Sequence, residues 1–297
     1  MTRILVFGRN GQLARALAAC GGSAGVEIER AGSSEFNLRY HFTDIIDFIG
    51  EKTCHAVINA AAWTDVDAAE SGAAEQAWIL NALAPAHMAR ACANKQIPFI
   101  HVSTESVFDG RKATPYRPDD PPCPANFYGV SKLEGERAVQ SSGAQAAIVR
   151  TSWVFADEGK NFISAILAAA RKKPQLNVVN DQTGIPTYAP DLARALLALC
   201  QNMLDKPQTN QTDILHFTSA GPPVSRFDYA RNILKLAGVS TQVLPISSAR
   251  YGAPAPRPSN AVLGNGKLDS SALRAMLSAR PQDWRETLAR ITTVMGD

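Results

Sequence analysis

Short apolar runs alternate with amphipathic stretches along the first half of the chain. Helical patterns lie between these runs and include Ala74–Cys92 and Ser131–Gln140. Alternation of strands and helices at this spacing predicts an α/β fold with a doubly wound parallel sheet and right-handed crossovers. The apolar runs, rich in β-branched and aromatic residues, are predicted to be the buried strands: Arg3–Phe7, Val26–Glu29, Ala56–Asn59, Phe99–Val102 and Ala147–Arg150.

The pattern changes in the second half. The hydrophobic spacing predicts amphipathic helices at Lys160–Lys172 and Pro190–Met203. It predicts a strand at Leu176–Val179. A polar linker is predicted over Asp205–Thr212. Prolines at 254, 256 and 258 are incompatible with a regular helix or a central strand, so Arg250–Asn260 is predicted to be a shaped loop.

The chain is long enough for one large domain and a smaller one. It has 297 residues, of which 45% are hydrophobic and 19% charged. We expect an NAD(P)-binding domain at 1–153, with a segment near 188–217 returning to it. Residues 154–297 are expected to form mainly a smaller mixed α/β C-terminal substrate domain.

A glycine turn follows the first predicted strand. Gly8 and Gly11, in G-R-N-G-Q-L, precede a helical stretch that starts at Ala14. Glycines permit a tight turn and close approach of a pyrophosphate to the N-terminus of the helix. The turn has one glycine fewer than the full dinucleotide fingerprint, and a plain strand–helix connection is the alternative. Its position at the start of an α/β chain favours a Rossmann-type, dinucleotide-binding sheet.

Tyr128 and Lys132 are four residues apart, so they share one face of a helix. A nearby cation lowers the pKa of a phenol toward the range useful for general acid–base catalysis. Either Ser103 or Thr104, directly after a predicted strand, can supply a hydroxyl to a substrate carbonyl. Accidental spacing on a solvated helix is the alternative. Ala60–Thr64 also follows a strand end, where parallel sheets bind ligands, so we expect one shared crevice.

Composition excludes several classes of protein. The net charge of +3 is too small and dispersed for nucleic-acid binding. Five scattered cysteines without C-x-x-C spacing suit reduced thiols, and we predict no metal site. His101, inside a predicted strand, is interpreted as a core residue. The sequence has no run of 18 apolar residues and no signal-peptide pattern, so we expect a cytoplasmic protein without membrane contact.

A set of seven motifs runs along essentially the whole chain. In chain order the set consists of G-x-x-G-Q at 8–12, V-I-N-A-A-A-W-T at 57–64, S-T-E-S-V-F-D-G at 103–110, Y-G-V-S-K at 128–132, R-T-S-W-V-F at 150–155, N-D-Q-T-G-I-P-T at 180–187 and R-P-S-N at 257–260. Together these motifs resemble the dTDP-4-dehydrorhamnose reductase family of extended short-chain dehydrogenases/reductases. The motifs of the second half separate this family from related epimerases and dehydratases.

The resemblance implies reduction of the C4 ketone of dTDP-4-dehydro-L-rhamnose to dTDP-L-rhamnose, with a hydride from NADPH or NADH. It implies that Tyr128 donates the proton and that Thr104 orients the carbonyl. It also implies that Lys132 lowers the pKa of Tyr128 and holds the nicotinamide ribose. Glu105 would also lie at the substrate, and Trp153 would pack against the deoxysugar, with a core tryptophan as the alternative. The implied cofactor-binding residues are Gly8, Gly11, Gln12, Leu13, Arg30, Asn37, Leu38, Ala62, Trp63, Thr64 and Val102, together with Tyr128 and Lys132.

The chain departs from the family pattern at several positions. The family usually has Asp-Tyr where this chain has Glu105-Ser106, and an aspartate where it has Asn37. Pro190 replaces a glutamate that helps to hold magnesium at a dimer contact in some members. We therefore expect a monomer or weak homodimer without metal. Rival functions are a 4-ketoreductase for another nucleotide-linked deoxysugar and a dinucleotide-binding regulatory subunit without turnover.

Two assignments stay open or ambiguous in the sequence. Glu29, at the end of the second strand, would favour NAD through the ribose 2′-hydroxyl, whereas Arg30 suits the 2′-phosphate of NADP. We predict use of both cofactors with a preference for NADPH. Arg257 is either a surface charge or a residue that binds a phosphate.

Overall fold

A computed structural model describes residues 1–206, 210–264 and 281–295. The strands are β1 (Thr2–Phe7), β2 (Val26–Ala31), β3 (Ala56–Asn59), β4 (Phe99–Thr104), β5 (Ala146–Thr151), β6 (Val154–Phe155), β7 (Gln175–Val179), β8 (Thr183–Gly184), β9 (Thr187–Tyr188), β10 (Thr212–His216), β11 (Val224–Ser225), β12 (Gln242–Ile246) and β13 (Asn260–Ala261). The α-helices are α1 (Gln12–Gly21), α2 (Leu38–His41), α3 (Ile45–Glu51), α4 (Val66–Ser71), α5 (Ala74–Trp78), α6 (Ala84–Lys95), α7 (Phe127–Gln140), α8 (Phe162–Ala170), α9 (Ala189–Leu204), α10 (Arg226–Leu236), α11 (Ser248–Tyr251) and α12 (Trp284–Met295).

Six parallel strands form the central sheet in the order β10-β5-β4-β3-β1-β2. The chain moves outward from β1 to β2 and then returns to β3 on the other side of β1. This reversal opens a crevice beyond the carboxyl ends of β1 and β3, the place where such sheets bind ligands. The predicted α/β fold with a doubly wound parallel sheet is confirmed.

Two apolar layers cover the sheet, because successive residues of a strand point to opposite faces. Ile4 and Val6 of β1 pack with α1 and α9 on one face. Leu5 and Phe7 of the same strand pack on the other face with residues of α3, α6 and α7. His101 of β4 alternates with the buried Ile100, so it lies on the α7 side.

The second half contributes both to this sheet and to a separate core. Helix α9 packs on α1, and β10 pairs with β5, so the segment 189–216 joins the first half. The separate core lies between α8, α10 and α12 and includes Tyr229 and Trp284. Around it are short pairings: β7 with β12, β6 with β9, and β8 between β11 and β13.

The predicted helix Ala74–Cys92 is wrong in one respect. A π turn over Ile79–Leu83 separates α5 from α6, and α6 extends to Lys95. Apolar periodicity does not reveal such a turn, which is often found at functional sites. The predicted helix Lys160–Lys172 is shorter in the structure, because Asn161 caps α8 with a reciprocal hydrogen bond to Ser164.

Helix α7 approaches two backbone segments so closely that only glycine fits at the contacts. A Cβ atom on Gly129 would lie 2.1 Å from the carbonyl oxygen of Ser106. On Gly135 it would lie 2.0 Å from the carbonyl oxygen of Asn81, in the π turn. Both obstacles are backbone atoms and cannot rotate away, so these glycines determine how near α7 lies to its neighbours.

We therefore expect Gly135→Ala to lower the free energy of unfolding by about 1–3 kcal/mol, as overpacking does. Gly50→Ala in α3 is the matched control, because no atom within 4 Å faces its Cβ position. The control should gain about 0.5 kcal/mol, since alanine favours a helix over glycine. Denaturant unfolding measures both values, and equal stabilities for the two variants would contradict the contact.

Candidate active site

A cavity of about 660 Å³ lies at the carboxyl ends of β1, β3, β4 and β5. Residues from the second half of the chain close it from the other side, among them Gln182, Arg226 and Arg257. The structure brings most of the predicted site residues together in its lining: Gly11, Gln12, Leu13, Ala62, Thr64, Val102, Thr104, Glu105, Tyr128, Lys132 and Trp153. The other predicted residues lie outside the lining: Gly8, Arg30, Asn37, Leu38 and Trp63.

The glycine turn after β1 forms a cradle for an anion. Gly8 has a φ of +112°, and a Cβ atom there would meet the backbone of Ala60 and Ala61 at 3.0 Å. Gly11 precedes α1 and supplies no side-chain cap to the N–H groups of its first turn. Uncapped N–H groups at a helix N-terminus bind phosphate groups well. The residues present therefore fit the pyrophosphate of a dinucleotide.

Arginines gather beside this cradle, near the end of β2. Arg30 donates from Nη1 to the carbonyl oxygen of Arg9 at 3.1 Å, and Arg9 donates back to that of Arg30 at 3.2 Å. Glu29 is engaged by Lys52, with 2.6 Å between Oε1 and Nζ. Asn37 caps α2 by accepting from the N–H of Arg39. Leu38 is a buried core residue.

Asn81, in the π turn, holds the loop that follows β3. Its Oδ1 accepts from the N–H of Trp63 at 2.9 Å, and its Nδ2 donates to the carbonyl oxygen of Trp63 at 3.1 Å. Nδ2 also lies 3.0 Å from Oγ of Ser131 on α7. One side chain thus fixes the Ala62–Thr64 turn to the helix of Tyr128. Sequence reasoning missed Asn81.

Tyr128 is almost fully buried beside Thr104. Burial raises the pKa of its phenol, and the nearby Glu105 carboxylate raises it further, while a hydrogen bond with Thr104 acts in the opposite direction. This corrects the expectation from sequence, which was a pKa lowered by Lys132. The lysine amino group turns toward the sheet, so burial dominates. A phenol in this environment is protonated at neutral pH and can serve as an acid.

Lys132 is 1% exposed. Its Nζ donates to the carbonyl oxygen of Val102 at 2.8 Å and lies 3.3 Å from Nε2 of His101. Burial lowers the pKa of Lys132 to about 8, although the nearby Glu136 acts to raise it. The ammonium form is therefore costly in this site.

Ser103 and Thr104 both line the cavity and differ in their hydrogen-bond partners. Ser103 donates to Oε1 of Glu136 at 2.5 Å, and Glu136 forms a buried ion pair with Arg150. Thr104 donates to Oε2 of Glu105 at 2.9 Å and accepts from the N–H of Ser106 at 3.1 Å. Burial raises the pKa of Glu105. Of the two hydroxyl groups, that of Thr104 forms a hydrogen bond with Tyr128.

Trp153 is strained and enclosed. Its φ of +46° lies in the left-handed region, which is costly for a bulky side chain and is often found at functional sites. The guanidinium of Arg226 lies 3.6 Å from the centre of the indole ring. Gly184 is so near that a Cβ atom there would be 2.7 Å from the ring. The indole is thus held between a cation and a glycine.

Arg226 is a cavity residue that sequence reasoning missed. It is the first residue of α10, where the helix dipole disfavours a cation. That mismatch is a signal in the sequence that could have identified it. Burial lowers its pKa to about 10. Across the described residues, no carboxylate lies within ion-pair distance of its guanidinium.

Arg257 and Pro190 are the remaining positions that the sequence singled out. Arg257 lines the cavity and pairs with Asp67, with 2.8 Å between Nη1 and Oδ1. Pro190 is in the first turn of α9. Within the described ranges, no group of three or more His, Cys, Asp or Glu side chains could hold a metal ion. No helix in the same ranges is long and apolar enough to cross a membrane.

The open parallel sheet, the glycine turn after β1 and the Tyr128–Lys132 pair on α7 are typical of extended short-chain dehydrogenases/reductases. Residues 1–296 match the family described as the RmlD substrate binding domain. A dTDP-4-dehydrorhamnose reductase of Mycobacterium tuberculosis is 38% identical over 296 residues, which cover 97% of this chain and 91% of the relative.

Solved structures agree with the sequence comparison. A dTDP-4-dehydrorhamnose reductase from Clostridium acetobutylicum has a TM-score of 0.88 and 30% identity, with 100% of both chains covered. The enzyme of that name from Bacillus anthracis, solved in complex with NADP, has a TM-score of 0.88 and 28% identity over 99% of this chain and 100% of that one. The chain belongs to the dTDP-4-dehydrorhamnose reductase family, a family of enzymes.

The lowered pKa of Lys132 predicts a pH-dependent cost in stability. The folded protein binds this proton less tightly than the unfolded chain does, so wild-type stability rises as the pH increases from about 8 toward the ordinary lysine value. Lys132→Met removes the group. We expect the melting temperature of this variant, relative to wild type, to fall by several degrees between pH 7 and pH 10.

Lys172→Met, at an exposed lysine, is the matched control. Its difference in melting temperature from wild type should stay constant over the same pH range, because water solvates that ammonium in both states. A constant difference for Lys132→Met as well would show that the buried amine carries no such cost.

Proposed function

We propose that the protein reduces the C4 ketone of dTDP-4-dehydro-L-rhamnose to dTDP-L-rhamnose, with NADPH or NADH as the hydride donor. The observation that carries the proposal is the position of Tyr128 and Thr104. Both lie at the carboxyl end of β4 in the same cavity as the glycine cradle. A ketone bound there would meet a protonated phenol on one side and a dinucleotide on the other.

The chain's own residues supply the acid and the orientation. Tyr128, kept protonated by burial, donates its proton to the oxygen that becomes an alkoxide. Thr104 orients that oxygen by a hydrogen bond, for which its hydroxyl must turn from Glu105. Lys132 holds the nicotinamide ribose. The dinucleotide, when bound, supplies the hydride, and its pyrophosphate lies on the N-terminus of α1.

The far end of the cavity suits the rest of a sugar nucleotide. Arg226 and Arg257 are two cations in the wall, and a diphosphate is an anion that both can bind. Trp153 would present the parts of its ring not covered by Arg226 and Gly184 to the deoxysugar. Packing against the apolar face of a sugar is a common use of an indole ring.

The deciding experiment is an assay of NADPH oxidation with dTDP-4-dehydro-L-rhamnose generated in situ, followed by identification of the product epimer. We expect dTDP-L-rhamnose as the product. Tyr128→Phe should bind NADPH as wild type does and lose on the order of 10²–10⁴ in turnover, the usual contribution of a positioned general acid.

Other products would support the rival functions. A different epimer, or turnover only with another nucleotide-linked 4-ketosugar, would favour the related ketoreductase. Cofactor binding without turnover of any such sugar would favour a regulatory subunit. Near-wild-type turnover by Tyr128→Phe would remove Tyr128 from the mechanism.

We also propose a preference for NADPH, with Arg30 as a ligand of the 2′-phosphate. The engagement of Glu29 by Lys52 supports this, because that carboxylate is then less available to a ribose 2′-hydroxyl. Arg30→Ala should raise the Michaelis constant for NADPH about tenfold, as expected for loss of a charge-assisted hydrogen bond. The constant for NADH is the internal control and should change little. Equal increases for the two cofactors would assign Arg30 a structural role only.

A further inference from the structure

Three buried polar side chains form a continuous series of contacts that ends at Lys132. Asn59 ends β3, His101 lies beside it in β4, and Lys132 reaches them from α7. Nδ2 of Asn59 is 3.1 Å from Nδ1 of His101, and Nε2 of His101 is 3.3 Å from Nζ of Lys132. None of the three is more than 1% exposed. Their donors and acceptors must therefore match one another.

A backbone N–H group determines which atoms of this series donate hydrogen bonds and which accept them. The N–H of Ala61 donates to Oδ1 of Asn59 at 3.0 Å, so Nδ2 is the atom that faces His101. An amide nitrogen can only donate, so Nδ1 of His101 accepts and carries no proton. Burial lowers the pKa of His101 well below its usual value. The ring is therefore neutral, and its single proton is on Nε2.

The Nε2–H group of His101 thus points at Nζ of Lys132. An ammonium has three donors and no acceptor, so it would meet this group donor to donor. A neutral amine has a lone pair that accepts from Nε2, and it still donates to the carbonyl oxygen of Val102 at 2.8 Å. We propose that Asn59 and His101 are positioning residues that make the ammonium form of Lys132 less favourable in the cofactor-free protein.

The charged groups around Lys132 do not remove this disadvantage of its ammonium form. Glu136, one turn further along α7, attracts the ammonium form, but its carboxylate is shared by Arg150 of β5 and the hydroxyl of Ser103 in β4. Tyr128, on the same helix, is a neutral phenol. Glu105, beyond Tyr128, has its pKa raised by burial. The imidazole of His101, by contrast, is in direct contact with the amine, 3.3 Å away.

The inference rests on the proposed function only for the role of Lys132 as a ribose ligand. Ribose hydroxyl oxygens would offer acceptors to the amine, so that Lys132 could take up a proton as the cofactor binds. The tests below use the cofactor-free protein and need no turnover. Failure of the reductase assay would therefore leave their outcome unaffected.

The first test determines the tautomer of His101. Long-range ¹H–¹⁵N correlation spectra distinguish a protonated ring nitrogen from an unprotonated one, and His101→Leu identifies the signals by their loss. We expect a protonated Nε2 and an unprotonated Nδ1 in the wild-type protein at about pH 10, above the pKa of Lys132. A protonated Nδ1, or protons on both nitrogens, would overturn the proposal.

The second test exchanges the donor and acceptor roles of the two ring nitrogens of His101. Asn59→Asp has nearly the same shape, but its second oxygen accepts from Nδ1–H, so that Nε2 of His101 is free to accept from an ammonium. The titration midpoint of Lys132, followed by its ¹³Cε resonance and assigned by its loss in Lys132→Arg, should rise by about one unit or more.

The new negative charge alone would also raise this midpoint, and a double-mutant cycle separates the two effects. In the His101→Leu background, Asn59→Asp acts through charge only, so its shift should be clearly smaller than in the wild-type background. Equal shifts in the two backgrounds would overturn the proposal. If the variants do not fold, the tautomer of wild-type His101 still decides.

Discussion

The buried ion pair between Glu136 and Arg150 determines how helix α7 lies on the sheet. Nη2 of Arg150 is 2.6 Å from Oε2 of Glu136, and neither side chain is more than 2% exposed. Glu136 is four residues after Lys132 and eight after Tyr128, on the same side of the helix. A buried charge without its partner costs several kcal/mol. The orientation that satisfies the pair therefore also turns Tyr128 and Lys132 toward the ends of the strands.

In this orientation, burial favours the neutral form of both Tyr128 and Lys132. The phenol of Tyr128 keeps its proton, whereas the amine of Lys132 loses its proton more readily than an exposed lysine does. The spacing of the two residues suggests that the lysine lowers the pKa of the tyrosine. In the structure, burial is the largest influence on the pKa of each group. Burial keeps the phenol of Tyr128 protonated, and the direction of reaction proposed above requires a protonated acid.

The sequence predicted the parts of the structure that depend on local patterns. The parallel strands follow from apolar runs, and the predicted residues from Gly11 to Trp153 that line the cavity follow from motifs at strand ends. Asn81 and His101 could not be predicted in their roles, because each depends on a contact with a distant part of the chain. The two-residue strands β6, β8, β9, β11 and β13 are too short to leave a periodic signal. The direction of the pKa change at Tyr128 depended on burial, which sequence spacing does not report.

The two glycines of α7 have a consequence for the source of this helix's stability. Each costs the helix about 1 kcal/mol relative to alanine, and isolated helices of this length are marginal in water. The stability of α7 must therefore come from docking against β4, β5 and the π turn, which exist only when residues distant in sequence have come together. The helix that carries Tyr128 and Lys132 is accordingly stable only as part of the assembled fold. Both side chains are held in place by the sheet beneath them and not by the helix alone.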